Sequence, residues 1–123
     1  MIPNYKIPYG KQSIDKKDIK SVIKVLKSDL ITQGPLVPMF EKKICNYVSS
    51  KYAVAVNSAT SALHIACLAL DLKENDILWT VPNTFVASSN CGLYCGSKID
   101  FVDIDPDTWN ISIAKLEEKL KIS

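Results

Sequence analysis

Val54-Ala55-Val56-Asn57-Ser58-Ala59-Thr60-Ser61-Ala62-Leu63 carries a short β-prone run straight into a helix through small and hydroxylated residues. The run at 53–56 reads as a strand, and 59–70 reads as a helix that is apolar on almost every side. At such a junction the first-turn N–H groups have no helical partner, and the positive end of the helix dipole points the same way. An anion suits that place, a phosphate above all, and the hydroxyls of Ser58, Thr60 and Ser61 can add hydrogen bonds. The stretch is neither a Walker A loop nor a GxGxxG turn, because it lacks the glycines of both. Taken alone, Ser or Thr at a helix start is more often just a cap.

Working outward, strands are predicted at 77–81 and 99–104, with a helix at 85–94 between them. Ile113, Leu116 and Leu120 suit a last amphipathic helix that Ser112 can cap. Strand, helix, strand, helix, strand belongs to the α/β class and predicts right-handed crossovers and a mainly parallel sheet with flanking helices. The nearly all-apolar helix at 59–70 needs burial on both sides, which three strands alone hardly supply. After the strand at 77–81 come Pro82-Asn83-Thr84-Phe85-Val86-Ala87-Ser88, at the edge where open α/β sheets bind ligands. Phe85 there can stack on a planar ring. On the residues alone it also serves as the first core residue of its helix, and that reading is the simpler one.

Before this region the chain through Gly10 reads as an extended arm. A helix starts at Asp15, with Ile19, Val22, Ile23 and Leu26 recurring at three and four. Gly34, Pro35 and Pro38 mark 29–38 as a loop, and a second helix carries Phe40, Ile44, Tyr47 and Val48 on one face. The expected division is 1–50 for the arm and two helices, and 51–123 for the first part of a larger ligand-binding domain.

The 123 residues are 47% hydrophobic and 23% charged, the balance of an ordinary globular chain. Fifteen basic residues, all lysine, face thirteen acids for a net charge of +2, and they are scattered along the chain. A nucleic-acid footprint would need a basic stripe, so no nucleic-acid partner is expected. No eighteen-residue apolar run exists and no signal-peptide pattern opens the chain, so the expectation is a cytoplasmic protein without a membrane span. Cys45, Cys67, Cys91 and Cys95 then read as reduced thiols. Cys91 and Cys95 share a helical face, but with His64 as the one histidine the spacing lacks a zinc pattern, and no metal is expected.

Several blocks in order resemble the DegT/StrS-type sugar aminotransferases, which share the aspartate-aminotransferase fold (fold type I). They are Ile7-Pro8-Tyr9-Gly10, Leu30-Ile31-Thr32-Gln33-Gly34-Pro35, Phe40-Glu41, Asn57 to His64, Pro82 to Asn90, and Phe101-Val102-Asp103-Ile104-Asp105. Within the family the form of the Asn57 and Pro82 blocks is similar to the branch that serves pseudaminic acid biosynthesis. The resemblance implies pyridoxal 5'-phosphate as cofactor, a UDP-linked 4-keto-6-deoxy-N-acetylhexosamine as acceptor and glutamate as amino donor. It also implies a homodimer. By matched position, Ala59 and Thr60 would hold the cofactor phosphate and Phe85 would stack on its ring. Tyr9, Asp29, Leu30, Ile31, Thr32 and Ser58 would touch the sugar nucleotide.

The family's cofactor-bonding lysine and its acid partner for the pyridine nitrogen fall later than this sequence reaches. None of the fifteen lysines matches the lysine motif. Asp103 and Asp105 stand on too early a strand for the acid. The expectation is therefore an N-terminal fragment, inactive by itself, with no catalytic residue of its own. The alternative is a non-catalytic α/β remnant that binds a phosphate ligand or a partner.

Overall fold

The computed structural model describes residues 8 and 10–122, so Tyr9 lies outside the described residues. Two units make up the chain, Met1–Ala53 and Val54–Ser123.

In the first unit, α1 spans Lys16–Leu26 and α2 spans Leu36–Val48. Asp15 caps α1 as its sequence suggests: its carboxylate accepts from the Lys17 amide at 2.6 Å and the Asp18 amide at 3.0 Å. Asp18, in the first turn, takes the Asp15 amide on its own carboxylate at 2.9 Å and closes a capping box. α2 begins inside the predicted 29–38 loop. Pro35 is its N-cap and Pro38 sits in its first turn, where the missing N–H costs nothing because that amide has no helical partner. The remaining loop is tight. A Cβ on Gly34 would lie 2.8 Å from the Leu30 carbonyl oxygen, so only glycine fits there.

The second unit holds α3 (Ala59–Ala69), β1 (Ile77–Thr80), α4 (Ala87–Tyr94), β2 (Lys98–Phe101) and α5 (Ile113–Leu120). β1 and β2 pair in parallel, Ile77 opposite Lys98 through Thr80 opposite Phe101, with α4 as the crossover. This is the predicted βαβ arrangement. α4 packs on both strands and on α3, and its small residues Ala87, Cys91 and Gly92 are buried there beside Cys67, Ser97 and Val102. The buried Ser97 hydroxyl donates to the Gly92 carbonyl at 2.9 Å.

Three expectations change. Residues 53–56 keep an alternating exposure but join no ladder: among the described residues the sheet consists of β1 and β2. A β-prone run becomes a strand only where a neighbouring strand offers hydrogen bonds in register. β2 ends at Phe101, and Ile104 instead forms a single antiparallel bridge to Ile111 across the Asp105 turn. There the Asp105 carboxylate takes the Asp107 and Thr108 amides and pulls the backbone out of the ladder. α3 buries Cys67 against α4, whereas Leu63, Ile65 and Leu68 are exposed.

α5 is fastened by charge. Lys119 Nζ lies 2.5 Å from the Asp100 carboxylate and donates to the Phe101 carbonyl at 2.7 Å, and Lys115 Nζ lies 2.6 Å from Asp103. The Lys119 hydrogen bond, helped by the Phe101 amide, holds the Asp100 carboxyl below the ordinary value near 3.8. Lys115 and the Ile104 amide do the same for Asp103. A folded-state pKa below the unfolded one gives stability that is complete above the unfolded value and is lost as pH falls through the folded value. Acid unfolding followed by circular dichroism is therefore expected to steepen below about pH 4. Asp100→Asn should flatten the curve in that window and leave its shape at pH 7 unchanged. An identical acid limb in the variant would show that the pair does not stabilise the fold.

Among the described residues no helix is long and apolar enough to cross a membrane. No group of three or more His, Cys, Asp or Glu among them is arranged to hold a metal ion.

Candidate functional site

The start of α3 is the best-organised polar feature of the second unit. Ser58 is extended (φ −157°, ψ 155°) and caps the helix, its Oγ accepting the Ser61 amide at 3.1 Å. The Ala62 amide reaches the Ser58 carbonyl at 3.1 Å, the first helical bond. That leaves the amides of Ala59 and Thr60, which have no acceptor among the described residues. No acid stands in the first turn to compete with an incoming anion. Two free donors at a positive dipole end, with no carboxylate nearby in the helix, can accept a phosphate group.

The hydroxyls divide differently from the sequence expectation. Ser61 Oγ donates to Asn57 Oδ1 at 2.9 Å and contacts Ser58 Oγ at 2.9 Å, so both serines are engaged with each other and with Asn57. Of the three hydroxyls, the Thr60 one has no partner among the described residues. The role of Asn57 escaped the sequence reading. Its only trace there is spacing: Asn57, Ser58 and Ser61 fall at i, i+1 and i+4 about a helix start.

Phe85 is not a core residue of its helix. α4 starts at Ala87, two residues later than predicted, and Phe85 precedes it with 72% of its surface exposed. Its position is nevertheless defined. The Ser88 amide donates to the Phe85 carbonyl at 2.9 Å, and Thr84 Oγ1 meets Ser88 Oγ at 3.0 Å, so the turn on either side is tied into the first turn of α4. A held, exposed aromatic ring can take a flat ligand on its face.

α3 and α4, which carry the two features, are packed together, with His64 edge-on to Tyr94 at 5.3 Å between ring centroids. The thiols of Cys67, Cys91 and Cys95 gather in the same helix pair. Burial above all, with Cys91 and Cys95 beside it, pushes the Cys67 thiol up to about 11. A thiol so raised stays protonated and unreactive at neutral pH, which makes Cys67 packing material rather than a nucleophile.

Asp29, Leu30, Ile31 and Thr32 lie in the loop of the first unit between α1 and α2, with Leu30 and Ile31 exposed. Ser28 Oγ braces that loop by donating to the Val25 carbonyl at 2.7 Å and contacting the Leu30 carbonyl at 3.2 Å. A cavity of about 540 Å³ in that unit is lined by Ser21, Lys24, Leu36 and Met39 among others, and one of about 350 Å³ lies against Phe101, Lys115 and Lys119. Neither is lined by Ser58, Ala59, Thr60 or Phe85. A helix start open on one side forms no enclosed cavity, so these volumes do not bear on the start of α3.

A parallel βαβ unit with a phosphate-ready helix start and a presented aromatic ring has the makings of a cofactor-binding α/β enzyme domain. Residues 12–122 match the DegT/DnrJ/EryC1/StrS aminotransferase family, and the chain belongs to that family. It is 46% identical over 114 residues to the UDP-4-amino-4,6-dideoxy-N-acetyl-beta-L-altrosamine transaminase of Campylobacter jejuni subsp. jejuni serotype O:23/36 (strain 81-176), covering 93% of this chain and 30% of that protein. Helicobacter pylori PseC, an aminotransferase involved in the biosynthesis of pseudoaminic acid, superposes with a TM-score of 0.83 at 35% identity. That match covers 93% of this chain and 31% of PseC. NtdA from Bacillus subtilis, solved with bound cofactor PMP, superposes with a TM-score of 0.77 at 33% identity over 85% of this chain and 25% of its own. The chain thus spans about 30% of the length of the curated relatives it matches.

Proposed function

We propose that this chain provides the phosphate-holding turn and the ring platform of a pyridoxal-phosphate-dependent aminotransferase. Its substrate would be a UDP-linked 4-keto-6-deoxy-N-acetylhexosamine, with glutamate as the amino donor, in pseudaminic acid biosynthesis. The observation that carries this reading is the pair of unpartnered amides at Ala59 and Thr60, set at a helix start without acids. Membership of the family and the names of its relatives support the substrate class.

The residues present fit the cofactor. Ala59 and Thr60 would take the phosphate through their amides, and the free Thr60 hydroxyl would add a third hydrogen bond. Phe85 would lie against the flat face of the ring and exclude water from it. Ser58 and the exposed loop of Asp29, Leu30, Ile31 and Thr32 would meet the sugar nucleotide, together with Tyr9. When bound, the cofactor supplies an electron sink that lets an amino group move between donor and keto carbon. None of this chain's lysines matches the family's cofactor-bonding lysine, so the part proposed for these residues is binding and orientation, without turnover by these 123 residues alone.

A titration of the ¹⁵N-labelled chain with pyridoxal phosphate tests this. The Ala59 and Thr60 amides should shift together and saturably, while pyridoxal without the phosphate should leave them unmoved. Phe85→Leu should weaken binding about 2- to 12-fold, the worth of one aromatic stack. Shifts spread over exposed lysines, with Ala59 and Thr60 still, would overturn the reading.

A further inference from the structure

α1 turns its most apolar side to solvent. Ser21, Lys24 and Val25 line the cavity that faces α2, together with Ser28 just past the helix. At about 3.6 residues per turn, Ile19, Val22, Ile23 and Leu26 stand on the opposite side, between 46% and 61% exposed. Among the described residues no helix or strand packs on α1. Lys16, Lys20 and Lys27 run along one edge of this apolar stripe, with Lys17 and Lys24 further round. None of these lysines is in an ion pair among the described residues. The two acids at the helix start, Asp15 and Asp18, direct their carboxylates to backbone amides of the capping box. The charge of the whole unit points the same way. Residues 1–53 carry ten lysines against four acids, a net +6, and residues 54–123 carry five against nine, a net −4.

We propose that α1 is an interfacial helix that lies along an anionic lipid bilayer, with Ile19, Val22, Ile23 and Leu26 below the phosphates and the lysines meeting them. A narrow apolar stripe beside a lysine-rich face is the pattern that a bilayer surface retains. Lysine suits the edge of the stripe, because its aliphatic stem follows the apolar side chains down while the ammonium stays among the headgroups. A second copy of the chain fits this stripe less well. Four partly exposed side chains offer far less than the roughly 800 Å² per partner of a stable protein interface. Lysines clustered on one helix would also repel those of a copy laid against it. A bilayer surface needs no such area, since each lysine near it adds its own attraction. This surface is independent of the start of α3 and of the ligand proposed there.

Sedimentation of the 123-residue chain with lipid vesicles tests this. Vesicles of phosphatidylcholine with about a quarter phosphatidylglycerol should carry the chain down, and phosphatidylcholine alone should leave it in solution. Raising the salt from about 0.1 M to about 1 M should release most of it, since screening shortens the reach of the lysines. Val22→Glu places a charge in the stripe and should cut vesicle affinity about 10-fold or more. Lys20→Gln should weaken it about fivefold, whereas Lys98→Gln, in the second unit, should leave it unchanged. All three side chains are exposed, so the circular dichroism of each variant should match that of the parent. Equal binding to both kinds of vesicle, binding to neither, or full binding by Val22→Glu would overturn the proposal. So would a dimer in sedimentation equilibrium that Val22→Glu dissociates, because the stripe would then belong to a second copy.

Discussion

Ala59→Pro is expected to weaken pyridoxal phosphate binding about 10- to 100-fold, the worth of one hydrogen bond to a charged group, while leaving the fold in place. The substitution removes a single backbone hydrogen. Ala59 is the first residue of α3, where proline is favoured because its N–H has no helical partner and its ring presets the helical φ. Ser58, the residue before it, is extended at ψ 155°, which is what a following proline requires. The cap from Ser58 to the Ser61 amide is untouched. Thermal stability should hold or rise slightly, since proline lowers the entropy of the unfolded chain. Binding and stability are thereby separated in one variant. Unchanged affinity at unchanged stability would mean that the Ala59 amide does not hold the phosphate.

Gly92→Ala should instead lower stability without touching any ligand group. Alanine is the better helix former by about 1 kcal/mol, so an exposed helical glycine would gain from the change. Gly92 lies where α4 presses on the sheet. A Cβ there would stand 2.9 Å from Ser97 Oγ and 3.1 Å from Leu78 Cβ. Ser97 cannot turn away cheaply, because it is buried and its hydroxyl is bonded to the Gly92 carbonyl. Leu78 belongs to β1, so α4 would have to lift from the strand. Overpacking of this kind costs about 1–3 kcal/mol, which exceeds the helical gain over most of its range. Urea unfolding should show a net loss of up to about 2 kcal/mol for alanine and a larger one for valine. A variant as stable as the parent would mean that the helix sits further from the strand than these distances state.

Both variants mark the line between local and tertiary information. Capping by Asp15, Ser58 and Ser112 was legible because a cap involves residues at most three apart. The parallel βαβ arrangement was legible from the order of periodic segments. The family resemblance supplied the proposal that Ala59 and Thr60 hold a phosphate and Phe85 a ring, from residue identities in the right order. Less legible were the boundaries. Pro38 looked like a helix breaker and is a first-turn residue, since the penalty for proline depends on where the helix starts.

The sequence by itself determined the caps of α1, α3 and α5, the turn chemistry and the composition of the stretch from Asn57 to Leu63. All of these follow from interactions within a few residues of one another. Only the tertiary structure decided that 53–56 forms no ladder among the described residues, that Phe85 stands exposed ahead of α4, and that Gly92 leaves little room for a side chain. Each depends on what lies opposite in space, which residue order does not encode locally. The same holds for the start of α3, the proposed phosphate turn. The residues at 57–61 offer three hydroxyls, and the folded geometry engages two of them with each other and with Asn57, leaving the Thr60 hydroxyl and two amides without partners among the described residues.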